Sequence, residues 1–120
     1  MFMENQPKAQ SVDIEFLNSI IEGSDAEFKK DLHQIFSENT KRNLEKMENS
    51  LKEENNNAWY MAAHAFKGAA ASIGAFTLSG ILEEAQKNPE SDKEIKSKII
   101  DRVKIELESV CKIIDQELLK

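Results

Sequence analysis

The chain has 120 residues, a formal net charge of −6 and a pI near 5.0. That length suits a single domain with a modest core, and the acidic balance argues against a nucleic-acid binder, whose electrostatic footprint would be basic. No apolar run approaches the roughly 20 residues that cross a bilayer, the start Met1-Phe2-Met3-Glu4-Asn5-Gln6-Pro7 lacks the build of a signal peptide, and Cys111 has no second cysteine to pair with, so a cytoplasmic protein that neither crosses nor anchors to a membrane is expected.

Residues 1–10 are polar, contain Pro7 and read as a flexible lead, leaving 11–120 as the folded domain. A short helix follows, with Ile14, Leu17, Ile20 and Ile21 on its apolar face and Gly23 as its stop. Ser24-Asp25-Ala26-Glu27 reads as a capping box for a long second helix. The core side of that helix is expected to be Phe28, Leu32, Ile35, Phe36, Leu44, Met47 and Leu51, interrupted by Asn39 and Asn43. The run Glu53-Glu54-Asn55-Asn56-Asn57 is a polar loop ending in an asparagine cap. On the third helix Ala58, Met61, Ala62, Ala65, Ala69, Ser72 and Ile73 cluster as the apolar stripe. His64 falls on the margin of that stripe, and Trp59 near it reads as an anchor of the bundle. Gly74-Ala75 closes this helix and opens a fourth, faced inward by Leu78, Ile81, Leu82 and Ala85 and broken at Asn88-Pro89-Glu90-Ser91-Asp92. The last helix carries Ile95, Ile99, Val103, Leu107, Val110, Ile114 and Leu118 at spacings of three and four, a seam along its full length. Short links between long helices predict an all-α fold, an antiparallel four-helix bundle with the additional short N-terminal helix laid against one end.

Within the third helix, His64 stands among unusually small residues, with Tyr60, Lys67, Gly68 and Ala71 on its face by helical spacing. Glycine inside a helix costs about 1 kcal/mol relative to alanine, so Gly68 points to a steric purpose. Without a Cβ at that position the imidazole edge stands clear of its own helix. Neutral imidazole, with an unperturbed pKa of about 6.5, is a competent nitrogen nucleophile. A phosphoryl group accepted there would be negative, Lys67 would screen it as a mobile cation, and small neighbours would leave open the in-line approach that phosphoryl transfer needs. The pattern therefore points to a phosphorylatable histidine.

These residues resemble a known family. Ala63-His64-Ala65-Phe66-Lys67-Gly68, followed by Ser72, Gly74-Ala75, Leu78, Leu82 and Glu83, is similar to the signature of histidine-containing phosphotransfer (HPt) domains of two-component phosphorelays, and the layout from Phe16 to Leu51 is similar to the helices preceding that signature. The resemblance implies that His64 exchanges a phosphoryl group with an aspartate of a receiver domain, and that a hybrid histidine kinase belongs among the partners. It implies a chain that binds no cofactor of its own, with Mg²⁺ held by the receiver. It also implies that Gln86, on the next helix, bonds the second ring nitrogen and orients the imidazole. Lys87 is only a weak substitute for a further basic residue found in some relatives. The expected docking patch is Tyr60, Gly68 and Ala71 around His64, extended by the first helix through Ile14 or Leu17, on a monomer.

The remaining reactive side chains have plainer readings. His33 is read as a flanking structural residue, Ser72 as a small packing residue and Cys111 as a core-boundary thiol. Two histidines a helix apart and one distant cysteine give no metal-ligand spacing, and there is no Gly-rich phosphate loop of a kinase. A phosphoryl carrier that relies on its partners for catalysis is the expectation, with a chain running from Met1 to Lys120 favouring a free-standing one. Two readings stay open beside it: a helical adaptor that docks without phosphorylation, and the histidine-bearing input domain of a chemotaxis-type kinase.

Overall fold

Four helices of the computed structural model, which describes residues 10–120, begin at a short polar side chain that closes the first turn. Asp13 accepts from the Phe16 N–H (3.0 Å) to start α1 (Ile14–Ile21), and Asp25 from Phe28 (2.9 Å) to start α2 (Ala26–Lys52). Asn55 does the same for α3 (Asn56–Ser72) at 2.9 Å, and Asp92 for α5 (Lys93–Leu118) at 3.0 Å. The expected Ser24–Glu27 capping box does not form. Asp25 takes the capping position, and the Ser24 hydroxyl donates backward to the Ile21 carbonyl, closing the end of α1 instead. Of the expected lead over residues 1–10, all but residue 10 lies outside the described residues.

The exception is α4 (Phe76–Lys87), whose N-cap Ala75 offers no side-chain bond. A tight turn serves in its place. Gly74 adopts φ +89°, and the Ala75 N–H reaches back to the Ala70 carbonyl at 2.9 Å. A Cβ at Gly74 would lie 3.1 Å from the Phe16 ring and 3.2 Å from the Asp13 carbonyl oxygen, so glycine is required both by conformation and by space. The Gly74 carbonyl accepts the Asp13 N–H at 2.9 Å, and Val12 and Leu17 are fully buried, which pins α1 against the α3–α4 end of the molecule.

Helices α2 to α5 close a square, α2 and α4 each packing on α3 and α5. Paired residues run in opposite directions along neighbours: His33 meets Asp115 and Glu48 meets Lys104 across α2 and α5, while Trp59 meets Ala85 and Lys67 meets Ser79 across α3 and α4. The architecture is thus the expected antiparallel four-helix bundle with a short N-terminal helix. Its centre holds Trp59, Phe66, Met47, Leu78, Leu82, Val103, Val110 and Ile114, all nearly or wholly out of water.

Three stripes differ from the sequence reading. On α3 the buried line is Trp59, Ala62, Ala63, Phe66 and Ala70, one residue round from the expected one, so Met61 is exposed and Trp59 is central rather than marginal. On α2 Phe28 and Ile35 are exposed, and the buried line runs through Phe36, Thr40, Asn43, Met47 and Ser50. Those polar side chains close locally, Thr40 on the Ser37 carbonyl, Asn43 on Asn39 and Ser50 on the Met47 carbonyl, so their burial leaves no bond unmade. On α5 the seam holds from Ile99 to Leu118, but Ile95 faces solvent and Lys96 takes the inward place.

Candidate functional site

His64 sits in the middle of α3, opposite the Trp59–Phe66 line, and is exposed. Burying two large aromatic residues on the far side fixes the roll of the helix, so the imidazole is held outward by packing behind it. Along the same outward face lie Tyr60, exposed Gly68 and half-buried Ala71. The Tyr60 and His64 rings are nearly parallel, 6° apart in plane with centroids at 6.2 Å. A Cβ at Gly68 would meet nothing within 4 Å, so the fold itself has no use for a glycine there; Gly80 on α4 shares that property.

On the α4 side, Lys67 is half-buried, its backbone carbonyl 3.4 Å from the Ser79 hydroxyl. The Glu83 carboxyl is held below the ordinary carboxylate range, first by its hydrogen bond and charge contact with Lys87 and then by the charge of Lys67. The Lys87 ammonium, 3.1 Å from Glu83, is thus committed within α4. Gln86 also faces this side, but its amide N–H donates to the Tyr60 hydroxyl over a long 3.4 Å, and its carbonyl oxygen is buried without a donor. The structure brings His64, Tyr60, Lys67, Gly68, Ala71 and Gln86 into one neighbourhood, with the Gln86 contact falling on Tyr60 and not on the imidazole.

On the α2 side, Ile20, Leu32, Ile35, Phe36, Asn39, Ala69, Ser72 and Ile73 line a small, mostly apolar hollow of about 130 Å³. Leu17, expected as an extension of the docking patch, is fully buried and cannot serve; Ile14 is half-buried, and Ile20 with the exposed Ile35 brings the apolar surface to the hollow instead. Sequence reasoning missed Ile35 as a surface residue because its helical spacing fits the core equally well.

The other reactive side chains keep apart from this face. His33 bonds Asp115 at 2.6 Å and ties α2 to α5. Cys111 is half-buried, and burial followed by the nearby Asp115 charge pushes its thiol pKa up, away from reactivity. Among the described residues no group of three or more His, Cys, Asp or Glu side chains could hold a metal ion, and no helix is long and apolar enough to cross a membrane.

Comparison with known proteins gives one family and one structure. The family described as Hpt domain matches residues 31–113. The fold is similar to that of the histidine-containing phosphotransfer protein B (HptB) from Pseudomonas aeruginosa PAO1, with a TM-score of 0.81 and 24% identity over 92% of this chain and 96% of that one. No curated protein sequence matches the chain.

Proposed function

The chain belongs to the Hpt domain family, whose members carry phosphoryl groups on histidine in phosphorelays, and on that premise we propose that His64 is the residue that accepts and returns the group. The observation that carries this assignment is the pairing of an exposed imidazole with a bare Gly68 one turn on, a glycine that no contact within the molecule requires. His33, the other histidine, is engaged with Asp115 and has no such clearance.

The partner we propose is a receiver domain, which supplies a phosphorylated aspartate and its Mg²⁺. A lone pair on one imidazole nitrogen attacks phosphorus in line; the N–P bond forms as the bond from phosphorus to the aspartyl oxygen breaks, and the carboxylate leaves with those electrons. The second ring nitrogen keeps its proton, so the phosphorylated ring is cationic beside an anionic phosphoryl group. Transfer to another aspartate reverses each of these changes. Lys67 screens the phosphoryl charge from the flank, and the face of Tyr60, Gly68 and Ala71 meets the partner, continued by the apolar hollow at Ile20 and Ile35. Catalysis of the displacement lies with the partner, and this chain acts as carrier.

The test is transfer from a panel of phosphorylated receiver domains to wild type and to His64→Ala, followed by acid and base treatment of the product. Acid-labile, base-stable label on the wild type and none on the folded variant is expected. Label that survives in His64→Ala would reject the assignment, and no label with any receiver would favour docking without phosphorylation or a kinase input domain.

A further inference from the structure

Gln86 is placed to orient the imidazole only at second hand, and the side chain between them is Tyr60. We propose that Tyr60 is a positioning residue for His64, setting the plane of its ring by stacking, and that Gln86 acts on the imidazole by holding the Tyr60 hydroxyl. The functional consequence rests on the reading of His64 as the phosphoryl acceptor; the placement of the ring does not.

Three observations carry it. The planes of the Tyr60 and His64 rings are almost parallel, at 6°, with centroids 6.2 Å apart, within the range of offset aromatic pairs. Helical spacing alone brings two such side chains close, but it does not make their planes parallel, since each ring turns freely about its last torsion. The far end of Tyr60 is tethered, because its hydroxyl receives the Gln86 amide from α4. Finally, the Gln86 carbonyl oxygen is buried with no donor, so an amide short of partners is spending its one side-chain contact on Tyr60. With the amide turned end for end the Tyr60 hydroxyl would donate to the Gln86 carbonyl oxygen, and the same two side chains would still be joined.

The chemistry gives the arrangement a use. An exposed imidazole samples several ring orientations, of which only some aim a nitrogen lone pair at an incoming phosphorus. Stacking on Tyr60 narrows that set before the partner arrives.

The experiment uses ¹⁵N-histidine-labelled protein and phosphoramidate as a small-molecule phosphoryl donor, with Tyr60→Ala, Tyr60→Phe, Gln86→Ala, the Tyr60→Phe/Gln86→Ala double variant and His64→Ala. The His64 ring-proton resonances should move in Tyr60→Ala, where the neighbouring ring current is lost, and stay near wild type in Tyr60→Phe; His33 serves as an internal control in every sample. Labelling should slow about fivefold in Tyr60→Ala and about twofold in Tyr60→Phe and in Gln86→Ala. The double variant should be no slower than either single one, because both changes break the same bond. Unchanged His64 ring shifts in Tyr60→Ala, or losses that multiply in the double variant, would overturn the proposal. Label retained by His64→Ala would instead sink the choice of acceptor, while the ring shifts would still decide the role of Tyr60.

Discussion

On its inner face α3 buries Trp59, Ala63, Phe66 and Ala70 completely, and half a turn round the same helix it shows His64 and Gly68 to solvent. The inner face is built from large shapes with fixed partners; the indole N–H of Trp59, for example, donates to the Ala85 carbonyl at 2.9 Å. The outer face has been stripped, to the point of a helical glycine that packs against nothing. A carrier histidine, the role proposed for His64, needs both. It must be rigid relative to the bundle so that its nitrogen is found in one place, and it must be bare in front so that a second protein can reach it.

That contrast can be broken from behind. Phe66→Ala should cost about 3–5 kcal/mol of stability, as large-to-small changes in a packed core do, measured by urea denaturation. A cost below about 1 kcal/mol would mean that the inner face does not set the helix roll as described. A change at the front should do the opposite. Gly68→Gln should raise stability by about 0.5–1 kcal/mol, since the helix gains a better former, while transfer from a receiver slows about tenfold because the side chain crowds the imidazole. Unaltered transfer rates in that variant would remove the steric account of the bare face.

The smallest effect sharpens the comparison at one end of the inner face. Lys96 is almost wholly buried, its ammonium 5.0 Å above the Trp59 ring and 2.8 Å from the Asn56 side-chain oxygen. Burial lowers its pKa from the ordinary lysine value. The native state thus holds this proton less tightly than the unfolded chain does. The resulting cost is complete below the folded pKa and is relieved as pH rises through it toward the unfolded value of about 10.4. Lys96→Met keeps the stem over the indole and drops the charge. It should match or slightly exceed wild-type stability at neutral pH, within about 1 kcal/mol, and the gap should close in strong base. A substantial loss at neutral pH would show that the ammonium contacts outweigh its desolvation.

Much of this was legible in the sequence because helix ends are local. Gly23, Asn55, Gly74 and Asp92 mark the breaks, and each ends or starts its helix through bonds or dihedrals within a few residues of itself, although Gly74 also meets Asp13 and Phe16 across the fold. His64, Lys67 and Gly68 were legible for the same reason, as neighbours on one face. The roll of α3 was harder to read because its alanines look alike from every side; the contrast lay in Trp59 and Phe66, seven residues apart, and not in the small residues between them. The inner line of α2 was hidden differently. Thr40, Asn43 and Ser50 can be buried because their hydrogen bonds close within the helix, whereas Phe28 and Ile35 are apolar and exposed. Size and polarity alone rank those five residues in the wrong order. Lys96 and the bond between Gln86 and Tyr60 depend on which helices meet, and no local pattern announces them.

Trp59 is the lone tryptophan of the chain, sealed from water, with its N–H engaged and a cation over its ring. Optically this makes the protein its own gauge. All indole emission arises from one chromophore in one fixed local field, so its colour reports whether the bundle is closed. His64 rides on the same helix but faces the other way, so the phosphorylation proposed for it should leave that light almost untouched. Folding and signalling can therefore be followed in a single sample on separate channels, fluorescence for the first and radiolabel for the second.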